Sequence, residues 1–242
     1  MKYRFGLPKK IVFGAAATFL LSFANAQTVS EGIVNLDSHK YAKAKEIFNQ
    51  MIAKSPTAEN YYYLGYSYLS QFEPNFELAK ENFDKGLAID SKSYLNKIGL
   101  ATIKLGKGQK ASAIAELTQV AKESKEKDAE VLYRIGEALT MFENNNDPAL
   151  AITYINKAIE KAQKYGVPAY YYYTLGDAYR LTRDPGNAMT AYDRASEVAK
   201  NKASVFYRMA TLWMAVFADL GASLIVVFNG LRLLKFNSSL GK

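Results

Sequence analysis

Small residues return along this chain at a nearly fixed spacing, and that constrains its fold more than any other feature. Gly32, Gly65, Gly99, Gly136 and Gly176 are 33, 34, 37 and 40 residues apart, and Ala210 stands 34 beyond the last. A second small residue follows. Ala44 and Ala188 come twelve after their glycines, with Phe48 and Tyr192 four further on, and the same count after Gly99 picks out Ala111 and Ala115. Ala79 and Ala151 arrive two and three residues later, behind the turn-like stretches Glu73-Pro74-Asn75 and Asn144 to Pro148. Ala79, Phe83 and Gly86 have the i, i+4, i+7 spacing of one buried helical stripe. Each unit therefore reads as two short helices that meet at small residues, where no branched side chain holds the backbones apart. Neither helix buries its apolar face alone, but stacked units share a continuous core.

The residues within the units carry a resemblance. Tyr61, Leu64, Gly65, Tyr68, Ala79 and Phe83 in one unit, and Tyr172, Leu175, Gly176, Tyr179, Ala188, Tyr192 and Ala195 in another, form a pattern that resembles the tetratricopeptide repeat. The third unit is the weakest, with Thr102 and Ala115 where the others have aromatics. The resemblance runs from about Thr28 to Met214. It implies an all-α, right-handed superhelical solenoid of stacked antiparallel helix pairs, roughly five repeats over residues 27–208. It also implies a non-enzymatic scaffold that binds another protein.

Both ends differ from the middle. Lys2, Arg4, Lys9 and Lys10 precede an apolar run from Ile11 to Phe23, and Ala24-Asn25-Ala26 supplies the small residues of a cleavage site. Residues 1–26 thus resemble a signal peptide cut before Gln27, too short in their apolar run to span a bilayer. The expected location is the periplasm or envelope of a Gram-negative bacterium. At the other end, residues 209–242 form a hydrophobic tail in which Leu224 to Phe228 leave no polar face and Asp219 is the only acid. Ala222 stands twelve beyond Ala210, so an incomplete sixth repeat fits the register. Three further readings fit the composition: a membrane-spanning helix that anchors an assembly factor, a helix for self-association or partner docking, or an altered end not selected with the repeats.

Charge and chemistry narrow the function. The formal charge of +8 falls to +4 without the four basic residues of the head, and no basic stripe interleaved with aromatics is present, so nucleic acid is not an expected partner. The absence of cysteine removes disulfides, thiol chemistry and thiolate metal sites. His39, the only histidine, reads as a loop or cap residue. Gly106 to Lys110 lacks the spacing of a phosphate loop, and Asn144 to Asp147 lacks the glycine and final glutamate of a calcium loop. No catalytic residue, cofactor or metal is expected. A hydrolase with a carboxylate-lined pocket stays as the minor alternative, since Glu130, Glu137 and Asp177 fall on first helices.

The expected site is a groove lined by first helices that takes an extended protein segment. With the glycine as position eight, position five holds Tyr62, Asn96, Tyr133, Tyr173 and Tyr207, and position nine includes Tyr66, Glu137 and Asp177. The four tyrosines make either a ladder of exposed rings or a set of packing residues, while Tyr61, Tyr172 and Phe206 in position four are expected in the core. An aromatic, locally acidic groove favours a basic or apolar segment over an acidic tail.

Overall fold

The computed structural model describes residues 29–36, 38–199 and 202–239, with side chains as far as 229. The expected signal segment lies outside them. Among the described residues every regular element is helical. These are α1 (29–36), α2 (Tyr41–Lys54), α3 (Ala58–Leu69), α4 (Phe76–Ile89), α5 (Tyr94–Gly106), α6 (Lys110–Glu123), α7 (Ala129–Met141), α8 (Pro148–Ala162), α9 (Ala169–Leu181), α10 (Pro185–Val198) and α11 (Ala203–Ser239). They divide between Lys107 and Gly108 into two compact units.

Local sequence sets where the helices start. Thr57, Asn75, Asp128, Asp147 and Asp184 each accept a hydrogen bond from a backbone N–H of the first turn that follows, and Pro148 and Pro185 open α8 and α10 where a missing N–H costs nothing. The turn-like stretches expected around residues 73–75 and 144–148 are therefore the caps of α4 and α8. His39 is an exposed turn residue with φ of 56°, its Nδ1 2.7 Å from the Tyr41 hydroxyl, as its loop reading predicts.

In the first unit, α3 and α4 form a hairpin and α5 packs against both. One ring joins all three. A methyl group on Gly65 of α3 would lie 2.6 Å from Cε1 of Phe83, and one on Gly99 of α5 would lie 2.5 Å from the same atom. Phe83 of α4 thus fills the space left by two glycines at once. Phe48 of α2 occupies the corresponding place against Gly32 of α1.

In the second unit, α7 pairs with α8 and α9 with α10. Gly136 faces Ile155 and Gly176 faces Tyr192, each too closely for an added methyl group. The count that selected Ala111 and Ala115 on α6 is off by two: both are exposed, while Ala113 and Leu117 are buried. Gly108, at φ of 80°, sits in a longer turn before α6, so the stripe begins fourteen residues after Gly99, as it does after Gly65.

The largest departure is at the end. α11 opens as the first helix of a sixth repeat, with Val205 and Leu212 buried in the core made by Tyr173, Ala188, Tyr192 and Ala195. It then continues for 37 residues in all, with no turn and no second helix, and Ala222 belongs to the same helix. The boundary expected between 208 and 209 therefore falls inside a helix. No glycine, proline or asparagine follows Leu212 where earlier first helices end, so the backbone has no reason to break.

Candidate functional site

Most of the fifth-position residues are core residues. Tyr62, Asn96, Tyr133 and Tyr173 are 2%, 0%, 1% and 6% exposed, and only Tyr207, at 68%, stands out in solvent. The ladder of exposed rings is replaced by packing. Position four is mixed: Tyr61 and Tyr172 are half-buried, Tyr172 packed against the core that holds Tyr173, and Phe206 is exposed. Tyr62 lies at the centre of a ring cluster, 5.2 Å from Tyr63, 5.9 Å from Phe83 and 6.0 Å from the half-buried Tyr66. Asn96 ties one first helix to another, its Nδ2 donating 2.8 Å to the Ala58 carbonyl of α3 and meeting Ser93 Oγ at 2.8 Å.

The second unit carries a polar cluster between α7 and α9. Arg134 is 2% exposed. Its Nε donates to Glu130 at 2.7 Å and its Nη1 to Glu137 at 2.7 Å, two carboxylates placed one turn before it and one turn after on the same helix face. The guanidinium also lies 5.0 Å from the ring of Tyr133 and 5.7 Å from that of Tyr170. From α9, the hydroxyls of Tyr170 and Tyr171 donate to the same Glu130 oxygen at 3.2 and 3.1 Å. Tyr133 stacks on Tyr171 at 4.3 Å, donates to Glu137 at 2.8 Å, and has its hydroxyl 3.0 Å from that of Thr174. Burial first, then the charge of Glu130, pushes both the Tyr170 and Tyr171 phenols well above their ordinary range. They stay neutral donors at physiological pH.

A second ion pair closes the step from α9 to α11. Asp177 accepts from Arg208 Nε at 2.9 Å and from the Tyr192 hydroxyl at 2.8 Å, and the Arg208 guanidinium lies 4.3 Å from the ring of Tyr173. Burial and the Asp177 charge raise the Tyr192 phenol. Arg208 stands two residues before Ala210, and Arg134 two before Gly136, so the two arginines are repeat equivalents. Position nine thus supplies carboxylates, as expected, but both are already bonded to an arginine of the fold. Taken with Glu130, these three carboxylates and two arginines leave a single negative charge in excess, against the two that Glu137 and Asp177 alone implied.

Sequence reasoning missed Arg134, Arg208, Tyr170 and Tyr171. Glu130, Arg134 and Glu137 do carry a local signal, the helical spacing of four and then three. The pairing of Arg208 with Asp177 has only the repeat register to reveal it. Among the described residues no group of three or more His, Cys, Asp or Glu is placed to hold a metal ion.

Comparison with known proteins fits this architecture. Residues 169–202, which cover α9 and α10, match the family model for the tetratricopeptide repeat. The chain is similar in structure to a tetratricopeptide repeat protein from Parabacteroides merdae, with a TM-score of 0.55 at 18% identity over 77% of this chain and 70% of that one. It is similar also to a thermophilic TPR protein from Thermus thermophilus, with a TM-score of 0.55 at 16% identity over 78% of this chain and 98% of that one. No curated protein matches the sequence.

Proposed function

We infer from the fold, which is that of a tetratricopeptide-repeat protein, that the chain is a non-enzymatic scaffold that holds another protein through an extended segment of it. The observation that carries this reading is the make-up of the first helices. In each unit they are locked in place by buried groups, Asn96 in one and Arg134 in the other, and present half-buried aromatic and carboxylate edges beside them: Tyr66 in the first unit, Glu137, Tyr170 and Asp177 in the second. A rigid helix face with fixed polar edges suits recognition of a chain laid against it. Tyr133, Tyr173, Tyr62 and Asn96 support such a surface from beneath. The carboxylates are held by arginine and phenol donors, an arrangement that favours a structural and recognition role over proton transfer.

The compartment belongs to the same proposal. Its support is the signal-like head of the sequence, and N-terminal sequencing of the exported protein should find Gln27 as the first residue. For the surface, chemical cross-linking in cells should join the full chain to a partner, and Tyr66→Ala in the first unit and Tyr207→Ala in the second should each diminish that product with helicity unchanged. An undiminished product would overturn the first-helix assignment, and an uncut N-terminus would overturn export.

A further inference from the structure

The geometry points to a lipid bilayer as the partner of α11, which crosses it from Trp213 to about Leu231 while its first turns remain docked on the repeats. The helix changes surroundings abruptly: Val205 and Leu212 are buried, and from Trp213 onward nearly every side chain through Asn229 is exposed. Exposed apolar residues lie on every side of it. Leu224, Ile225 and Val226 are 56%, 62% and 70% exposed, and consecutive residues step about 100° around a helix, so these three sample its whole circumference. Leu220 and Val227 lie in the widest gap, between Val226 and Leu224, and Phe228 lies between Leu224 and Ile225.

This circumference selects the occupant. A protein groove or a second copy of the chain covers one stripe of a helix and would leave the opposite aliphatic side chains in water. Lipid covers all sides at once. The length agrees, because the stretch from Trp213 to Leu231 rises about 27 Å at 1.5 Å per residue, against about 30 Å of hydrocarbon. The 27-residue segment Ala203–Asn229 reaches a mean hydropathy of 2.0 in its best window with only 6% of that window buried, unlike the core helix of a soluble protein. The flanks agree too. Trp213, stacked on Phe217 at 5.7 Å, stands where an aromatic residue marks the interface, and in the sequence the apolar stretch is followed by Arg232 and Lys235, the basic flank that favours anionic headgroups. Asp219, on the side shared with Ala215, Ala222 and Ser223, is the one residue that opposes insertion.

Since the helix is continuous from Ala203, no linker separates the last repeat from the membrane, and the Asp177–Arg208 pair with Val205 and Leu212 fixes the second unit at the bilayer surface. This inference stands apart from the identity of the protein partner.

The test is flotation of the full chain with vesicles of phosphatidylcholine and phosphatidylglycerol, followed by carbonate extraction. The chain should float and resist extraction. Leu224→Lys and Val226→Lys, on opposite sides of the helix, should each lower the floated fraction roughly tenfold or more, and Asp219→Leu should raise it. The thermal melt of the repeats should be unchanged in all three, because these side chains are exposed and lie beyond the buried residues Val205 and Leu212 that dock the helix. Failure of the wild-type chain to float would overturn the proposal, as would pelleting without flotation. Sensitivity to only one of the two lysine substitutions, in a chain that sediments as a dimer, would also overturn it in favour of a protein-covered stripe.

Discussion

The two units solve the same packing problem with different chemistry. In the first, α3 and α5 are held together by a phenylalanine ring set between two glycines and by one amide, Asn96. In the second, the equivalent helices α7 and α9 are joined by a buried arginine, two glutamates and three tyrosines. Small residues at position eight are common to both. What lies between successive first helices is free to vary, provided a buried charge is paired. An apolar seam fails by leaving a cavity; an ionic seam fails by leaving a charge.

Mutations at the two seams should separate these failures. The largest effect is expected from Phe83→Ala, which empties two glycine-lined sites together and should destabilise the first unit by about 3–5 kcal/mol in a denaturant titration. A loss below about 2 kcal/mol would show that the ring does not bridge three helices. Arg134→Met should cost the second unit about 2–3 kcal/mol, since the partly exposed Glu130 and Glu137 recover some hydration when their donor is removed. Adding Glu130→Gln should restore part of that loss, an outcome that a purely steric role for Arg134 does not allow.

The ionic seam also has a pH signature. The Tyr170, Tyr171 and Tyr192 phenols are raised in the folded state, so folding retains protons that the unfolded chain releases. Their contribution is complete below the ordinary phenol value of about 10 and declines as pH rises through and above it. Denaturation followed from neutral pH to about pH 11 should therefore show the second unit weakening at the alkaline end, and less so in a Tyr170→Phe, Tyr171→Phe variant.

Smaller effects sharpen the comparison. Gly99→Ala should cost about 1–3 kcal/mol by driving a methyl group against Phe83, and Phe83→Leu should relieve it in the double variant. Asp128→Ala, which removes the acceptor for the N–H groups of Glu130 and Val131, should cost about 1 kcal/mol and leave the first unit untouched.

The legible and illegible parts of the fold separate along physical lines. The hairpins could be read because Gly65, Gly136 and Gly176 each need a small residue where a neighbouring side chain comes close, and turn residues such as Asn75, Asp147 and Pro185 act locally. Side-chain direction was harder. Tyr61, Tyr62 and Tyr63, like Tyr170 to Tyr173, are consecutive rings that offer the helix no contrast between an apolar and a polar face, so the pattern gives the spacing of the buried stripe but not its phase. The same difficulty placed Ala111 and Ala115 on the buried side of α6. Ion pairs within one helix left a trace in spacing, whereas Arg208 and Asp177 are 31 positions apart and nothing local joins them.

By itself the sequence determined that this chain folds as repeated helix pairs meeting at small residues, and that its last stretch has no polar face. Periodic sterics and hydropathy act over a few residues, and they are written in neighbouring letters. Only the tertiary structure decided that Tyr62, Asn96, Tyr133 and Tyr173 point inward and that Glu137 and Asp177 are held by arginines. Those outcomes depend on what a second helix brings to the same point in space, and on whether it brings a ring, a charge or nothing at all.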